Sequence, residues 1–188
     1  ILQEKHAHDY VSYVDKASEK KVVSALRKLL PEAGFIAEEG SAAYSDETYC
    51  WVVDPLDGTT NYIHDNAPYC VSIALRDKQS LLLGVVYEPC RDECFYAWKG
   101  GGAYVNGERL RVSLVSELKD AFVVTELPYN FEQYARTGEH LIHELYGKVA
   151  GIRMNGSAAL ALCYVAAGRF DAWLEAFIGK WDFSRSEE

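Results

Sequence analysis

The residues best suited to chemistry are packed into the stretch Trp51-Val52-Val53-Asp54-Pro55-Leu56-Asp57-Gly58-Thr59-Thr60-Asn61. Asp54 and Asp57 are two carboxylates three positions apart, and hard carboxylate oxygens suit a divalent cation such as Mg. The apolar run Trp51 to Val53 reads as the end of a buried strand, which Pro55 is expected to stop because proline cannot donate to a sheet ladder. Asp57-Gly58 then supplies a turn. Thr59, Thr60 and Asn61 have side chains that cap helix starts, so the N–H groups of Gly58 to Asn61 are expected to be unpaired and to point one way. Carboxylates that hold a cation, set beside a helix start that holds an anion, make a phosphate site. An isolated D-x-x-D-G is equally at home in a surface turn, so the rest of the chain has to decide.

Several elements must position this stretch. Val22, Val23, Leu26, Leu29 and Leu30 recur at helical spacing until Pro31, which places one amphipathic helix over about Asp15 to Leu30, with Lys20, Lys21, Arg27 and Lys28 on its solvated side. Lys5 to Ser12 is polar and reads as an arm. Phe35-Ile36 is a short strand that delivers Glu38-Glu39, a carboxylate pair of the kind more often left in solvent than used. After the central stretch, Cys70 to Arg76, Leu81 to Tyr87 and Cys94 to Trp98 form an antiparallel meander, closed by a hairpin at Asn106-Gly107, where both turn residues accept positive φ. Ala121 to Thr125 is a further strand and Phe131 to about Tyr146 a helix, on which His140 and His143 read as surface residues. Ile152 to Met154, a helix opened by Asn155-Gly156-Ser157 and stopped at Gly168, and the strand Phe170 to Glu175 complete a strand, helix, strand order. The fold class is therefore α+β. One domain spans 1–188, with an antiparallel-sheet half over 1–112 and an α/β half over 121–188.

Composition narrows the function. The chain has 188 residues, 49% of them hydrophobic, and a formal net charge of -9. That charge argues against a nucleic-acid or acidic-membrane binder, which needs a basic face. It does not argue against a phosphate substrate, since carboxylates loaded with divalent cations are locally positive. The five cysteines form no C-x-x-C pair, which suits reduced thiols and a cytoplasmic protein. No apolar run approaches the roughly 18 residues that span a bilayer, and no signal-peptide pattern opens the chain.

The stretch Asp54 to Asn61 resembles the D-P-x-D-G-T-x-N signature of the inositol monophosphatase family of Mg-dependent, lithium-sensitive phosphatases. Four more elements match in order: Phe35 to Glu39 as F-I-x-E-E, the hairpin block, Gly156-Ser157-Ala158-Ala159 as the G-S/T-A-A helix start, and Trp181-Asp182 as the W-D downstream. The resemblance implies a layered αβαβα sandwich and two or three Mg ions. Glu38, Asp54 and the carbonyl of Leu56 would hold one; Asp54, Asp57 and Asp182 would hold a second. Glu38, Asp57 and Thr59 would carry the catalysis. Gly58 and Thr59 would hold phosphate, and Gly156, Ser157, Ala158 and Glu175 the rest of the substrate. The family's lysine and D-x-V-T-x-x-D stretch are matched only loosely by Lys5, Asp9 and Asp15, which are left out of the site.

What the resemblance implies is Mg-dependent hydrolysis of a small phosphorylated polyol, most like inositol-1-phosphate, by a possible homodimer without nucleic-acid or membrane partners. Relatives acting on fructose 1,6-bisphosphate, 3'-phosphoadenosine 5'-phosphate or histidinol phosphate are the alternative, and a silent binding or regulatory module is the remaining one. The chain opens at Ile1, without a methionine. After Asp182 it reads Phe183 to Glu188, where the family continues with small residues and further strands, so the expectation is a C-terminal part that is incomplete.

Overall fold

The computed structural model describes residues 3–6, 9–11, 13–40, 45–127 and 131–177, with side chains from residue 13 onward except that of residue 131. Strands β1 (Gln3–His6) and β2 (Asp9–Val11) pair antiparallel, so the stretch read as a polar arm is a hairpin. Backbone pairing between neighbouring strands needs no apolar run, and the polar composition hid it. Helix α1 (Tyr13–Leu29) then buries Asp15, Glu19, Val23 and Leu26 along one stripe. The apolar positions set the expected period, but Leu29 is exposed and two acids occupy the N-terminal end of the buried stripe.

Strands β3 (Gly34–Ala37) and β4 (Tyr49–Asp57) are parallel neighbours. Helix α2 (Thr59–Ile63) follows, and then β5 (Cys70–Asp77), β6 (Leu81–Glu88), β7 (Glu93–Trp98), β8 (Gly102–Val105) and β9 (Glu108–Arg109) add antiparallel. The result is a seven-stranded sheet in sequence order. Asn106 at φ 47 and Gly107 at φ 89 make the expected tight turn. Pro55 does not stop β4. The strand runs through it to Asp57, because the pairing with β5 slips between Asp54↔Ser72 and Asp57↔Cys70, and a proline inside a bulge has no ladder bond to lose.

The second sheet is parallel, in the order β11 (Gly151–Arg153), β10 (Phe122–Glu126), β12 (Ala172–Glu175). Helix α3 (Phe131–Leu145) connects β10 to β11, and α4 (Ala158–Ala166) connects β11 to β12. The two crossovers run in opposite directions across the sheet, so right-handed connections put α3 and α4 on opposite faces. Both histidines singled out on α3, His140 and His143, are exposed.

Two cores hold the layers. Val23 and Leu26 of α1 pack with Phe35, Trp51 and Val53 on one face of the large sheet. Leu160, Ala161 and Tyr164 of α4 pack with Cys70 and Phe95 from its other face and with Val124 of the small sheet. The order is α1, sheet, α4, sheet, α3, the αβαβα sandwich. All five cysteines are unpaired, and burial raises the Cys70 thiol well above its usual range and Cys163 up to about 12, so neither is a ready thiolate. No described helix is long and apolar enough to cross a membrane.

Candidate functional site

The site lies where the carboxyl ends of β4, β10 and β12 meet the starts of α2 and α4, the edge at which α/β sheets usually bind ligands. Asp54 is 2% and Asp57 9% exposed, so both carboxylates are carried into the interior by the buried run that precedes them. Asp54 Oδ1 accepts the N–H of Leu56 at 2.9 Å across the bulge. Asp57 turns the other way. Its Oδ2 accepts Ser157 Oγ–H at 2.6 Å and the N–H of Ala159 at 2.8 Å, with Cys70 Sγ at 3.7 Å. This single carboxylate oxygen ties the end of β4 to the N-terminus of α4, a hundred residues later in the chain.

Burial pushes the Asp57 carboxyl above the ordinary carboxylate range; the hydrogen bonds from Ser157, Ala159, Ala158 and Cys70 act downward but do not outweigh it. Among the described residues the donors that reach Asp57 are neutral. A buried carboxylate of this kind gains from a nearby cation, and a donor set of carboxylates and one carbonyl, without imidazole or thiolate, is the chemistry of Mg. The fit is partial. Among the described residues no three His, Cys, Asp or Glu side chains converge closely enough to hold a metal ion. Glu38 stands half-buried just past β3, its N–H donating to the Val53 carbonyl at 3.2 Å. Asp182, the third carboxylate expected at the second ion, lies outside the described residues, as does Trp181.

Gly58, at φ 90 and ψ 37, is the N-cap of α2, and no side chain caps this helix. Thr59, Thr60 and Asn61 therefore leave the first N–H groups of α2 uncapped, although they were expected to cap it. Asn61 is used elsewhere: its Nδ2 donates to Pro68 O at 2.8 Å and to Asn155 O at 2.9 Å, stapling this loop to the one before α4. Ser157 is the N-cap of α4, with Oγ accepting the N–H of Leu160 at 3.3 Å. The expected substrate group Gly156, Ser157 and Ala158 is thereby brought against Asp57. Glu175 ends β12, half-buried and level with Glu126 on β10.

Two acids, Glu19 and Glu126, escaped the sequence reading, and a third, Asp15, was set aside by it. Thr59 Oγ1 stands 2.9 Å from both Asp15 Oδ1 and the Leu56 carbonyl, so its one proton has a carboxylate to go to. Glu19, fully buried, accepts the N–H of Glu39 at 2.6 Å and pins the turn that carries Glu38. Glu126 Oε1 accepts the N–H groups of Asn155 and Gly156 at 2.5 and 2.8 Å. The signal for Asp15 and Glu19 was present: they stand at i and i+4 on the stripe of Val23 and Leu26, where a solvated acid has no place.

The comparisons with known proteins show the family and the fold. The inositol monophosphatase family model matches residues 2–184. The chain is 42% identical to the Nus factor SuhB of Escherichia coli K12 over 98% of its own length and 69% of that protein's, and 41% identical to the inositol-1-monophosphatase of Rhizobium meliloti over 94% and 66%. Among solved structures, the extragenic suppressor protein suhB from Bartonella henselae superposes with a TM-score of 0.93 at 38% identity, covering 97% of this chain and 70% of that one. An IMPase/NADP phosphatase complexed with Mg2+ and phosphate gives 0.83 at 26% identity, over 98% and 69%. With its family model matched almost end to end and its layers superposing on those of solved members, the chain belongs to the inositol monophosphatase family, whose members are Mg-dependent phosphatases.

Proposed function

We propose that the protein hydrolyses a small polyol phosphate monoester, inositol-1-phosphate in type, with Mg held by Glu38, Asp54, the Leu56 carbonyl and Asp57, and by Asp182. The observation that carries this reading is the Asp57 clamp: one carboxylate binds Ser157 Oγ at 2.6 Å and Ala159 N at 2.8 Å, so the acidic motif and the α4 start are held as one unit. Mg at such a site lowers the pKa of water and neutralises charge on the transferred phosphoryl group. The protein's own residues do the rest. Asp15 accepts a hydrogen bond from the Thr59 hydroxyl, so as the attacking water gives its proton to Thr59 Oγ1 the threonine passes its own to Asp15, and Glu38 orients that water. The uncapped N–H groups at Gly58 and Thr59 receive phosphate oxygens, so most of the rate comes from positioning and charge stabilisation. Glu175, at the strand end in register with Glu126, accepts hydrogen bonds from the ring hydroxyls, and this favours a neutral polyol over a nucleobase.

The test is phosphate release by the purified protein from a panel of phosphate esters, with and without Mg, beside Asp57→Asn. A hundredfold loss in the variant is expected, about 3 kcal/mol of barrier. Near-normal turnover by folded Asp57→Asn at saturating Mg overturns the assignment, and a preference for nucleotide over polyol overturns the substrate class. A second reading is favoured by the 42% identity to a protein named a Nus factor: a binding or regulatory role of that kind in place of catalysis. The net charge of -9 weighs against direct nucleic-acid contact in that role, and absence of turnover on every ester in the panel is the result that favours it.

A further inference from the structure

Glu126 stands at the end of β10, the central strand of the parallel sheet, yet the chemistry above does not use it. Both hydrogen bonds it makes to the Asn155-Gly156 turn converge on one oxygen: Oε1 accepts Asn155 N–H at 2.5 Å and Gly156 N–H at 2.8 Å. Two successive N–H groups aimed at one point form the concavity that binds anions in many phosphate sites. Here the chain's own carboxylate fills it. The turn is held on its other side by Asn61, whose Nδ2 donates to Asn155 O at 2.9 Å and whose amide lies 2.7 Å from where a Cβ on Gly156 would stand. With Gly156 at φ +72, no side chain fits there without strain.

We propose that Glu126 is a specificity-determining residue: by filling the Asn155-Gly156 anion concavity it fixes the backbone that faces the substrate's hydroxyl end and denies that end to a second phosphate. The inference rests on the polyol reading of the same site. Glu126 lies beside Glu175 in register, so the substrate end opposite the reacting phosphate meets two carboxylates and no open anion site. A bisphosphate has to place its second phosphate against that pair. Removal of Glu126 frees two N–H donors in the same place.

The experiment compares kcat/KM for inositol 1-phosphate and for fructose 1,6-bisphosphate, with Mg, in the full chain and in Glu126→Ala and Glu126→Gln. Glu126→Ala is expected to shift the ratio at least tenfold toward the bisphosphate. Glu126→Gln keeps an oxygen in the concavity and is expected to shift it less than threefold. Damage to the fold alone lowers both values together and leaves the ratio unmoved, which overturns the proposal, as does an equal shift in both variants. If the wild-type protein turns over neither ester, the polyol reading fails by itself and the inference is read by sulfate titration of the Mg-free protein. The Asn155 and Gly156 amide resonances of Glu126→Ala are then expected to respond at a tenfold lower sulfate concentration than in wild type, and equal response overturns the proposal. Should Glu126→Ala not fold, Glu126→Ser carries the same comparisons.

Discussion

Replacing Ser157 by Ala removes one oxygen from the most connected point of the site, and the structure sets the size of the loss. Ser157 is 1% exposed. Its Oγ donates to Asp57 at 2.6 Å, a bond to a charged acceptor worth about 1.5 to 3 kcal/mol. The same oxygen caps α4 by accepting Leu160 N–H at a long 3.3 Å, so the cap counts at the low end, about 0.5 kcal/mol. Asp57 keeps the Ala159 N–H at 2.8 Å and is not stranded. Together these terms give a destabilisation of about 2 to 3.5 kcal/mol. Urea unfolding in chelator, with the midpoint shift read at constant m, measures it.

The pH dependence of that loss has a sign. Burial raises the folded pKa of Asp57 above 3.8 while Ser157 holds it down. The Ser157 bond therefore stabilises the ionised form, and its charge-assisted part is present above the folded pKa of Asp57 and fades as the pH falls through it. The penalty of Ser157→Ala should be largest near neutrality and smaller in acid. A double-mutant cycle with Asp57→Asn should return a coupling of at least about 1 kcal/mol. A loss below about 1 kcal/mol at neutral pH, or additivity with Asp57→Asn within about 0.5 kcal/mol, refutes the claim that this carboxylate joins the two halves of the site.

Gly58→Ala should cost about 2 kcal/mol and at least tenfold in kcat/KM, because its φ of +90 is strained for an L side chain and the new Cβ would press to 3.1 Å on the carbonyls of Gly156 and Pro68. Unchanged activity would show that the two loops need not approach so closely. Arg169→Ala should cost about 1 to 2 kcal/mol: it breaks a two-pronged pair to Glu93 at 2.6 and 2.7 Å and removes the guanidinium 4.9 Å over the Tyr164 ring. Arg169 holds the Glu93 carboxyl below 4.5, so this contribution is complete above pH 4.5 and is lost as the pH falls through the lower folded value. Thermal melts of both proteins across that window check it, and a penalty that grows in acid contradicts it.

The meander, the Asn106-Gly107 turn, the α4 start and the strand, helix, strand order of the second half were legible in the sequence because each rests on local chemistry: side-chain period, turn residues that accept positive φ, a serine N-cap. Asp54 and Asp57 were legible as two carboxylates on and at the end of a buried apolar strand beside a turn signal, whereas Glu38 was singled out only through the family resemblance, its local sequence reading as solvent-exposed. Pro55 misled, because whether a proline ends a strand depends on the neighbour's register, and the slip against Ser72 and Cys70 is a property of the pair. Only tertiary packing turned Asp57 toward Ser157, joined Thr59 to Asp15 across the chain, sent Asn61 away from its own helix to Asn155, and folded Glu126 over the turn before α4. A carboxylate's role is set by which donors converge on it, and those donors come from residues as distant in sequence as Asp57 and Ala159. The local sequence determines that an acid is available; desolvation and the arrival of distant N–H and O–H groups decide whether it holds a loop, accepts a proton or waits for a cation.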